Sequence, residues 1–434
     1  VLGLVLVLFV AFGVLVEVRS AFQQTSKTDF GVYARAAWAI REGEDPYRVT
    51  DDNGWHYCYP PPLAVLLAPL ADPLPDRDRT GYLPFAASVA LWYLFCTLCV
   101  VWAGHRLAAV LVPDATLGTR RWWYARAVPL YVCAGGIGFT LGRGQVNTLL
   151  VALICGAFAA SVAGRRLASG LWLAGAIALK VIPGYLLLDP LVRRDRRAFV
   201  GVAVGSVLLF GVLPAAVWGP AGAVEMNRKV LDQVLAPGAT GAGDQTRAKE
   251  LTEATATDSQ SFQAVIHAHL YPDVTTRPTV VDRSTRLAHW GIGGVLTLVT
   301  AVVGWRRFRS GPVPAADRLV YLGCLCVLMM LLTPVSHMHY YAMGFPLVAG
   351  LWLRALAARP GAVSADRRTT AVLVGWGVCT ALPLFPGPFF DRIREAGFGG
   401  AATLALWAFA LRALARPAAA ARAPAAPAPL RAAA

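Results

Sequence analysis

The sequence predicts an all-α, polytopic membrane protein with about ten spanning helices, and three observations carry that reading. Hydrophobic residues make up 56% of the 434 and charged residues only 15%, too little polar surface for a water-soluble fold of this length. Runs of about 20 apolar residues recur along the chain, each long enough to cross a bilayer as a helix. The runs are continuous and do not alternate with polar residues, which speaks against a transmembrane β-barrel. The formal charge of +15 then marks arginines held on one membrane face and not a nucleic-acid surface.

The chain opens on "VLGLVLVLFVAFGVLVEV", without a basic leader or a small-residue cleavage site. It reads as a first spanning helix over 1–18, not a cleaved signal. Further spans are expected at 82–104, 124–140, 145–163, 198–218, 287–305, 317–335, 338–357, 369–386 and 400–415. The segment 167–192, "LASGLWLAGAIALKVIPGYLLLDPLV", differs. Arg165 and Arg166 precede it, and Arg193, Arg194, Arg196 and Arg197 follow it. If both clusters are cytoplasmic, the segment enters and returns on one side. Pro183 in its middle removes a backbone donor and constrains the residue before it. Two half-helices meeting at Lys-Val-Ile-Pro fit, and such a break is tolerated only where protein or a cavity covers it.

With that hairpin, Arg106, Arg121, Arg126, Arg307, Arg354, Arg359 and Arg367 all fall on one side, together with both termini. The positive-inside rule makes that side the cytoplasm. The other side receives 19–81 and 219–286, where acids concentrate. In the first loop, 63–70 is too short to span and reads as a re-entrant or interfacial helix that Pro60 to Pro62 start. In the second, 236–258 reads as mobile or as an insertion, and "SQSFQAVIHAHLY" as an amphipathic segment. Residues 1–416 form one expected membrane domain, and the Ala/Pro-rich tail 417–434 cannot build a core. The eight cysteines suggest neither disulfides nor a metal site. Cys96 and Cys99 form a CxxC, but inside an apolar helix with no matching ligand cluster.

Polar residues at a membrane face are costly unless paired or functional, and a set of them falls on the extracytoplasmic side. Asp29, in "TDFGVYARAAWAIREGEDPY", is open to two readings: a helix cap, or a general base at the lipid–water boundary. "LGRGQVN" brings Arg143, Gln145 and Asn147 to a helix junction. Arg143 there suits a phosphate or an acid, or simply snorkels to the interface. Lys180, just before the helix break, pairs with an acid or reaches a phosphate. "TPVSHMHYY" brings Ser336, His337, His339 and Tyr340 to another junction. The i, i+2 spacing does not put both histidines on one helical face, and no carboxylate is near in sequence, so a zinc site is not expected. A hydrogen bond from a histidine to a phosphate or sugar fits, as does a water-facing cap. Tyr59, Ser261 and Gln263 complete the set.

In their order, these motifs resemble the integral-membrane glycosyltransferases of family 87 in the GT-C superfamily. That family includes bacterial polyprenol-phosphate-mannose-dependent α-1,2-mannosyltransferases. The matching stretches are "TDFGVYARAAWAIREGEDPY", "YPPPLAVLLAPLADPLP", "LGRGQVNTLLVAL", "LAGAIALKVIPGYLLL", "SQSFQAVI" and "LLTPVSHMHYYAMGFPLV". They span roughly residues 20–350. The resemblance implies a GT-C-like fold and inverting transfer of a sugar, mannose first, from a polyprenyl-phosphate donor. The acceptor would be a lipid or glycan hydroxyl at the outer face of a bacterial plasma membrane, with no cofactor required. It assigns the base to Asp29 and matches Lys180 with Pro183, and Gly144 with Asn147, to family positions. Donor phosphate or sugar would then meet Arg143, Lys180, His337, His339, Tyr59, Gln145, Asn147, Ser261 and Gln263. The chain departs from the family at His337, where an aromatic residue commonly follows the serine. A lipid or solute transporter is the rival reading, since broken helices also occur there. It predicts internal repeats, and the Lys-x-x-Pro segment has no counterpart in the other half. A non-catalytic scaffold leaves the ordered polar motifs without an explanation.

Overall fold

The computed structural model describes residues 2–23, 28–240 and 246–415. The expected tail 417–434 lies outside the described residues. Among those described, helices carry the fold, and β-structure is limited to an isolated bridge between Thr50 and His56. The N-terminal helix α1 (Leu2–Ala21) is followed by two short outer helices, α2 (Asp29–Arg41) and α3 (Pro61–Leu66). The long α4 (Phe85–Leu111) then holds α1 through a Tyr93 hydroxyl that donates to the Phe9 carbonyl at 3.1 Å. Next come α5 (Arg120–Val132), α6 (Ala134–Arg143), α7 (Asn147–Val162), α8 (Arg166–Leu179), α9 (Leu188–Val192) and α10 (Arg196–Ser206).

The second half runs through α11 (Leu213–Val230), α12 (Ala236–Thr240), α13 (Ala248–Leu251) and α14 (Phe262–Leu270). It closes with α15 (Arg283–Arg309), α16 (Ala315–Leu332), α17 (Phe345–Ala357), α18 (Arg367–Ala381), α19 (Pro388–Glu395) and α20 (Phe398–Ala415). Five described helices are long and apolar enough to cross a membrane, or six if the pair 367–384 and 388–395, bent by 119°, is one span. The expected ten full spans do not appear as ten long helices. Several are assembled from shorter pieces, such as α5 with α6, or the 3-10 turn Met338–Gly344 with α17. The axis of the bundle is α16, whose spanning window is 83% buried against 22–39% for the other four. Those four leave apolar side chains outward, as a lipid-facing ring requires.

The hairpin expected at 167–192 is present. At Lys180 the backbone leaves the helix (φ −155°, ψ 125°) and continues as a 3-10 turn, Ile182–Leu187, into α9. On return, Gly170 of α8 meets the backbone of Ala198 and Val202, Gly201 meets the carbonyl of Leu167, and Gly205 meets Ala174. These contacts advance together along both helices, so α8 and α10 run parallel from the same end. Glycine is required at this approach, because a Cβ at Gly170 or Gly201 would collide with backbone atoms. In the outer segment 63–70 the helix is short: α3 starts at the prolines and buries Pro61 to Ala64.

The helix expected at 198–218 breaks at Gly219, whose backbone leaves helical geometry (φ 72°, ψ 170°). A second helix starts at once from Pro220 and carries the helical run to Thr240, inside the stretch expected as a loop. The acids in the described part of 236–258 reach His56 of the first loop and His337, as shown below.

Arginines gather at one end of the bundle. Asp317, 2% exposed, accepts from Arg307 at 2.9 Å and Arg354 at 2.6 Å. Arg121 donates to the carbonyls of Leu356 and Arg359, both at 3.1 Å. The Ser161 hydroxyl accepts from Arg193 at 3.2 Å and Arg318 at 2.6 Å. From Asp317 to Thr333, along α16, the helix rises about 24 Å, and the polar residues of the other end begin there.

Candidate active site

Thr28 fixes the start of α2. Its hydroxyl accepts from the Phe30 amide at 3.3 Å and donates to the Arg143 carbonyl at 3.0 Å. The cap is therefore Thr28, which leaves the Asp29 carboxylate free of backbone work. That carboxylate faces the guanidinium of Arg143 as a two-pronged pair, Nε to Oδ2 at 3.0 Å and Nη2 to Oδ1 at 3.3 Å. Only 13% of the Asp29 side chain and 24% of the Arg143 side chain are exposed. Arg143 ends α6, and the chain turns at Gly144 in a left-handed conformation (φ 67°). The Gly144 carbonyl accepts from the Trp92 indole at 2.7 Å. Arg143 also lies 5.3 Å from the centre of the Trp55 ring.

Immediately after the turn, the Gln145 side-chain oxygen accepts from Tyr33 at 3.1 Å and Tyr59 at 3.3 Å, and the Tyr33 hydroxyl reaches that of Tyr59 at 3.0 Å. Burial raises both phenols above their ordinary range, in Tyr59 against the opposing charge of Lys180. They remain neutral hydrogen-bonding groups. Asn147 donates to the His339 carbonyl at 3.1 Å and accepts from Lys180 at 3.4 Å. The Lys180 ammonium, at the helix break, is buried and stands 4.2 Å from the Tyr340 ring centre and 5.6 Å from that of Tyr59. Among the described residues no carboxylate lies within ion-pair distance of it. An unpaired cation in such a place is costly, so the geometry invites an anion.

His337 is held between two carboxylates from the second loop, Nδ1 to Asp258 at 2.9 Å and Nε2 to Glu253 at 3.0 Å. Burial opposes charge on the imidazole, but the hydrogen bonds to Asp258 and Glu253 prevail and hold it up to about 10. Burial likewise raises Asp258, and His337 outweighs it, so the carboxyl ends below its ordinary range. The backbone secures the same junction: Gln260 N donates to the Ser336 carbonyl at 2.7 Å, and Ser336 N donates to Ser259 Oγ at 3.1 Å. The neighbouring His339 is buried and packs against Tyr340, and its Nδ1 has no hydrogen-bond partner.

These groups border one cavity of about 900 Å³. Asp29, Tyr33, Tyr59, Arg143, Gln145, Lys180, His337 and His339 all line it, and Asn147 supports it through Lys180. Its far wall is apolar, made by Trp290, Gly293, Thr297 and Ala301 of α15 with Ile182 and Leu188 from the hairpin. Cys58 also lines it, but burial and then Glu250 push that thiol up to about 12, so it is no nucleophile at neutral pH.

Two expected ligands do not reach the cavity. Ser261 caps α14, accepting from the Ala264 amide at 3.1 Å and donating to the Pro334 carbonyl at 2.8 Å. Gln263 is buried away from it, beside Thr279 to Val281. Ser261 thereby supports the wall from behind, since Pro334 lines the cavity. Sequence reasoning missed Trp55, His56, Glu250, Glu253 and Asp258, all of which line the cavity. His56 is held by Glu250 through its backbone amide and its ring, each at 3.0 Å. The acids of the 246–258 segment were the available signal, but their partners stand far along the chain. Among the described residues no cluster of His, Cys, Asp and Glu is grouped to hold a metal.

The fold and the cavity define a multi-pass membrane protein with a charged, aromatic-lined site at one end of its helical bundle. A family model, glycosyltransferase family 87, matches residues 57–334, more than half of the chain. The protein belongs to that family. The matched range holds Arg143 and Lys180 but begins after Asp29 and ends before His337. No curated protein sequence matches. A search of solved structures found similarity to ArnT from Cupriavidus metallidurans bound to undecaprenyl phosphate, with 15% identity, 94% of this chain and 76% of that chain covered, and a TM-score of 0.40.

Proposed function

We propose that this glycosyltransferase moves a sugar, mannose as the first choice, from a polyprenyl-phosphate donor to a hydroxyl of a lipid or glycan acceptor. The reaction takes place at the extracytoplasmic end and inverts the anomeric centre. The observation that carries the reading is the buried Lys180, facing a cavity with no carboxylate partner described, while a carboxylate, Asp29, lines the same cavity. A monoanionic lipid phosphate supplies the charge that Lys180 lacks, and the apolar wall from α15 and the hairpin suits the adjoining isoprenoid chain.

In the reaction, Asp29 takes the proton of the acceptor hydroxyl, whose oxygen attacks the anomeric carbon. The bond from that carbon to the phosphate oxygen breaks on the opposite face, and its electron pair leaves with the phosphate. The transition state is oxocarbenium-like, as in glycoside chemistry. Lys180 and Arg143 meet the charge developing on the phosphate in a site shielded from bulk water. Phosphate is a good leaving group, so one carboxylate suffices. Tyr59, Gln145 and the free nitrogen of His339 offer hydrogen bonds to sugar hydroxyls.

Purified protein given labelled polyprenyl-phosphate mannose and a lipid extract tests this directly. We expect transfer with inverted anomeric configuration, and a fall of about 10³-fold in turnover for Asp29→Asn, within the range for removal of a general base. Normal turnover in Asp29→Asn would remove Asp29 as the base. Failure to use any polyprenyl-phosphate sugar would remove the donor assignment.

A further inference from the structure

The pairing of Asp29 with Arg143 has a consequence for the order of events. Both prongs of the guanidinium are spent on the carboxylate, and both carboxylate oxygens are spent on the guanidinium. In this state Nε and one Nη2 hydrogen of Arg143 are taken, the Nη1 edge is left for a phosphate to make first contact, and each Asp29 oxygen already accepts one charged hydrogen bond. Lys180 differs: its ammonium touches Asn147 and two aromatic faces, and it is ready for an anion as it stands. Arg143 is placed to change partners. It lies at the end of α6, beside the Gly144 turn, and a quarter of its side chain remains exposed to the cavity. Trp55 flanks it, and the backbone that carries it is anchored separately by Thr28 and Trp92. The guanidinium is therefore free to swing without loosening the turn.

We propose that the donor phosphate unlocks the base: it docks on Lys180, draws Arg143 off Asp29, and so releases the carboxylate to deprotonate the acceptor. The device rests on the reading of the cavity as a lipid-phosphate site. It imposes an order, donor before acceptor activation, and keeps the base masked in the empty enzyme. A guanidinium pairs bidentately with a phosphate as well as with a carboxylate, and its hold on the phosphate grows as the monoanionic diester becomes a dianion on leaving. The exchange thus tightens as the leaving phosphate gains charge, when its stabilisation counts toward rate.

The distinguishing property is that Asp29 competes with the donor for Arg143. Removing the carboxylate then strengthens phosphate binding even as it abolishes turnover. Binding of undecaprenyl phosphate in detergent micelles, followed by thermal shift and by titration, reads this without catalysis. Asp29→Asn is expected to bind roughly ten-fold tighter than the unaltered chain, the scale of one charge-assisted hydrogen-bonded pair. Asp29→Ser, which keeps a small residue at the helix start, should do the same if the Asn variant folds poorly. Arg143→Gln should bind more weakly, and adding Asp29→Asn to it should bring no further gain. Unchanged or weaker binding by both Asp29 variants, with the unaltered chain still binding, overturns the unlocking proposal and leaves the donor site standing. Failure of the unaltered chain to bind, or of Lys180→Met to weaken binding, overturns the donor site itself and the proposal with it.

Discussion

At the scale of single residues, the site depends on groups that leave no room for substitution. A Cβ on Gly144 would lie 2.7 Å from the Phe30 Cβ and 2.8 Å from the Thr28 hydroxyl, on a backbone with φ 67°. Gly144→Ala therefore pushes α2 away from α6 and parts Asp29 from Arg143. We expect a loss of about 1–3 kcal/mol, from strain and overpacking together, seen as a lower melting point and reduced turnover. His337 allows a test by pH. It titrates near 10 in the folded chain, against about 6.5 when free. A raised folded value means the proton stabilises the fold fully below about pH 6.5, and that this contribution fades as the pH climbs toward 10. The melting-point gap between the native chain and His337→Gln should be constant in mild acid and shrink across that window. A gap that grows with pH would show that the Asp258 and Glu253 clamp is not what raises the imidazole. Asp29, Arg143 and Lys180 were legible in the sequence because a charge beside apolar helices needs a reason. The clamp on His337 was not: Asp258 stands 79 positions away from it, and no spacing rule links them. Ser261 misled for the opposite reason, because a helix-capping serine and a ligand serine look alike before the helix start is known.

At the scale of elements, the hairpin was the most legible feature, since arginines bracket a segment too long for one turn and broken by Lys-Val-Ile-Pro. Charge placement alone demanded that its two ends meet, and the parallel contact of α8 with α10 is that meeting. The helix after residue 218 was illegible, because Gly219 and Pro220 end one helix as they look, and Pro220 also opens the next. Span lengths also misled: a helix packed inside a bundle can be interrupted, as at Cys133 between α5 and α6, when neighbours cover the break. The central α16 carries both ends of the molecule, with Asp317 in its first turn and the His337 junction after its last. Asp317→Asn leaves Arg307 and Arg354, both half-buried, without their carboxylate. A loss of about 1–3 kcal/mol follows from the lost charge-assisted hydrogen bonds. Because the site lies about 24 Å away along the helix, the Michaelis constant of the folded fraction should hold while thermal stability falls. A changed constant at unchanged stability would place Asp317 in the site's mechanics instead.

For the whole molecule, the two ends differ in charge balance. The arginines around Asp317, Ser161 and the Leu356 and Arg359 carbonyls gather at one end, while at the cavity end arginines such as Arg35 and Arg79 are matched by loop acids. A helical bundle has no reason of packing to sort charges this way, whereas a membrane with a positive-inside bias does. On that bias we propose that the cavity end is extracytoplasmic, where a sugar already attached to a lipid phosphate would need no nucleotide to reach the enzyme. Site-directed thiol labelling in intact cells tests that orientation. Asp52→Cys replaces a first-loop side chain that is 61% exposed, and Ala358→Cys lies on the exposed turn after α17 at the arginine end. With the parent chain as the baseline for native cysteines, a membrane-impermeant maleimide should label Asp52→Cys in whole cells. Ala358→Cys should react only after the membrane is opened. The reverse pattern would turn the cavity toward the cytoplasm. The donor would then have to present its sugar on the inner leaflet, and the acceptor would be an inner-leaflet lipid or a soluble glycan.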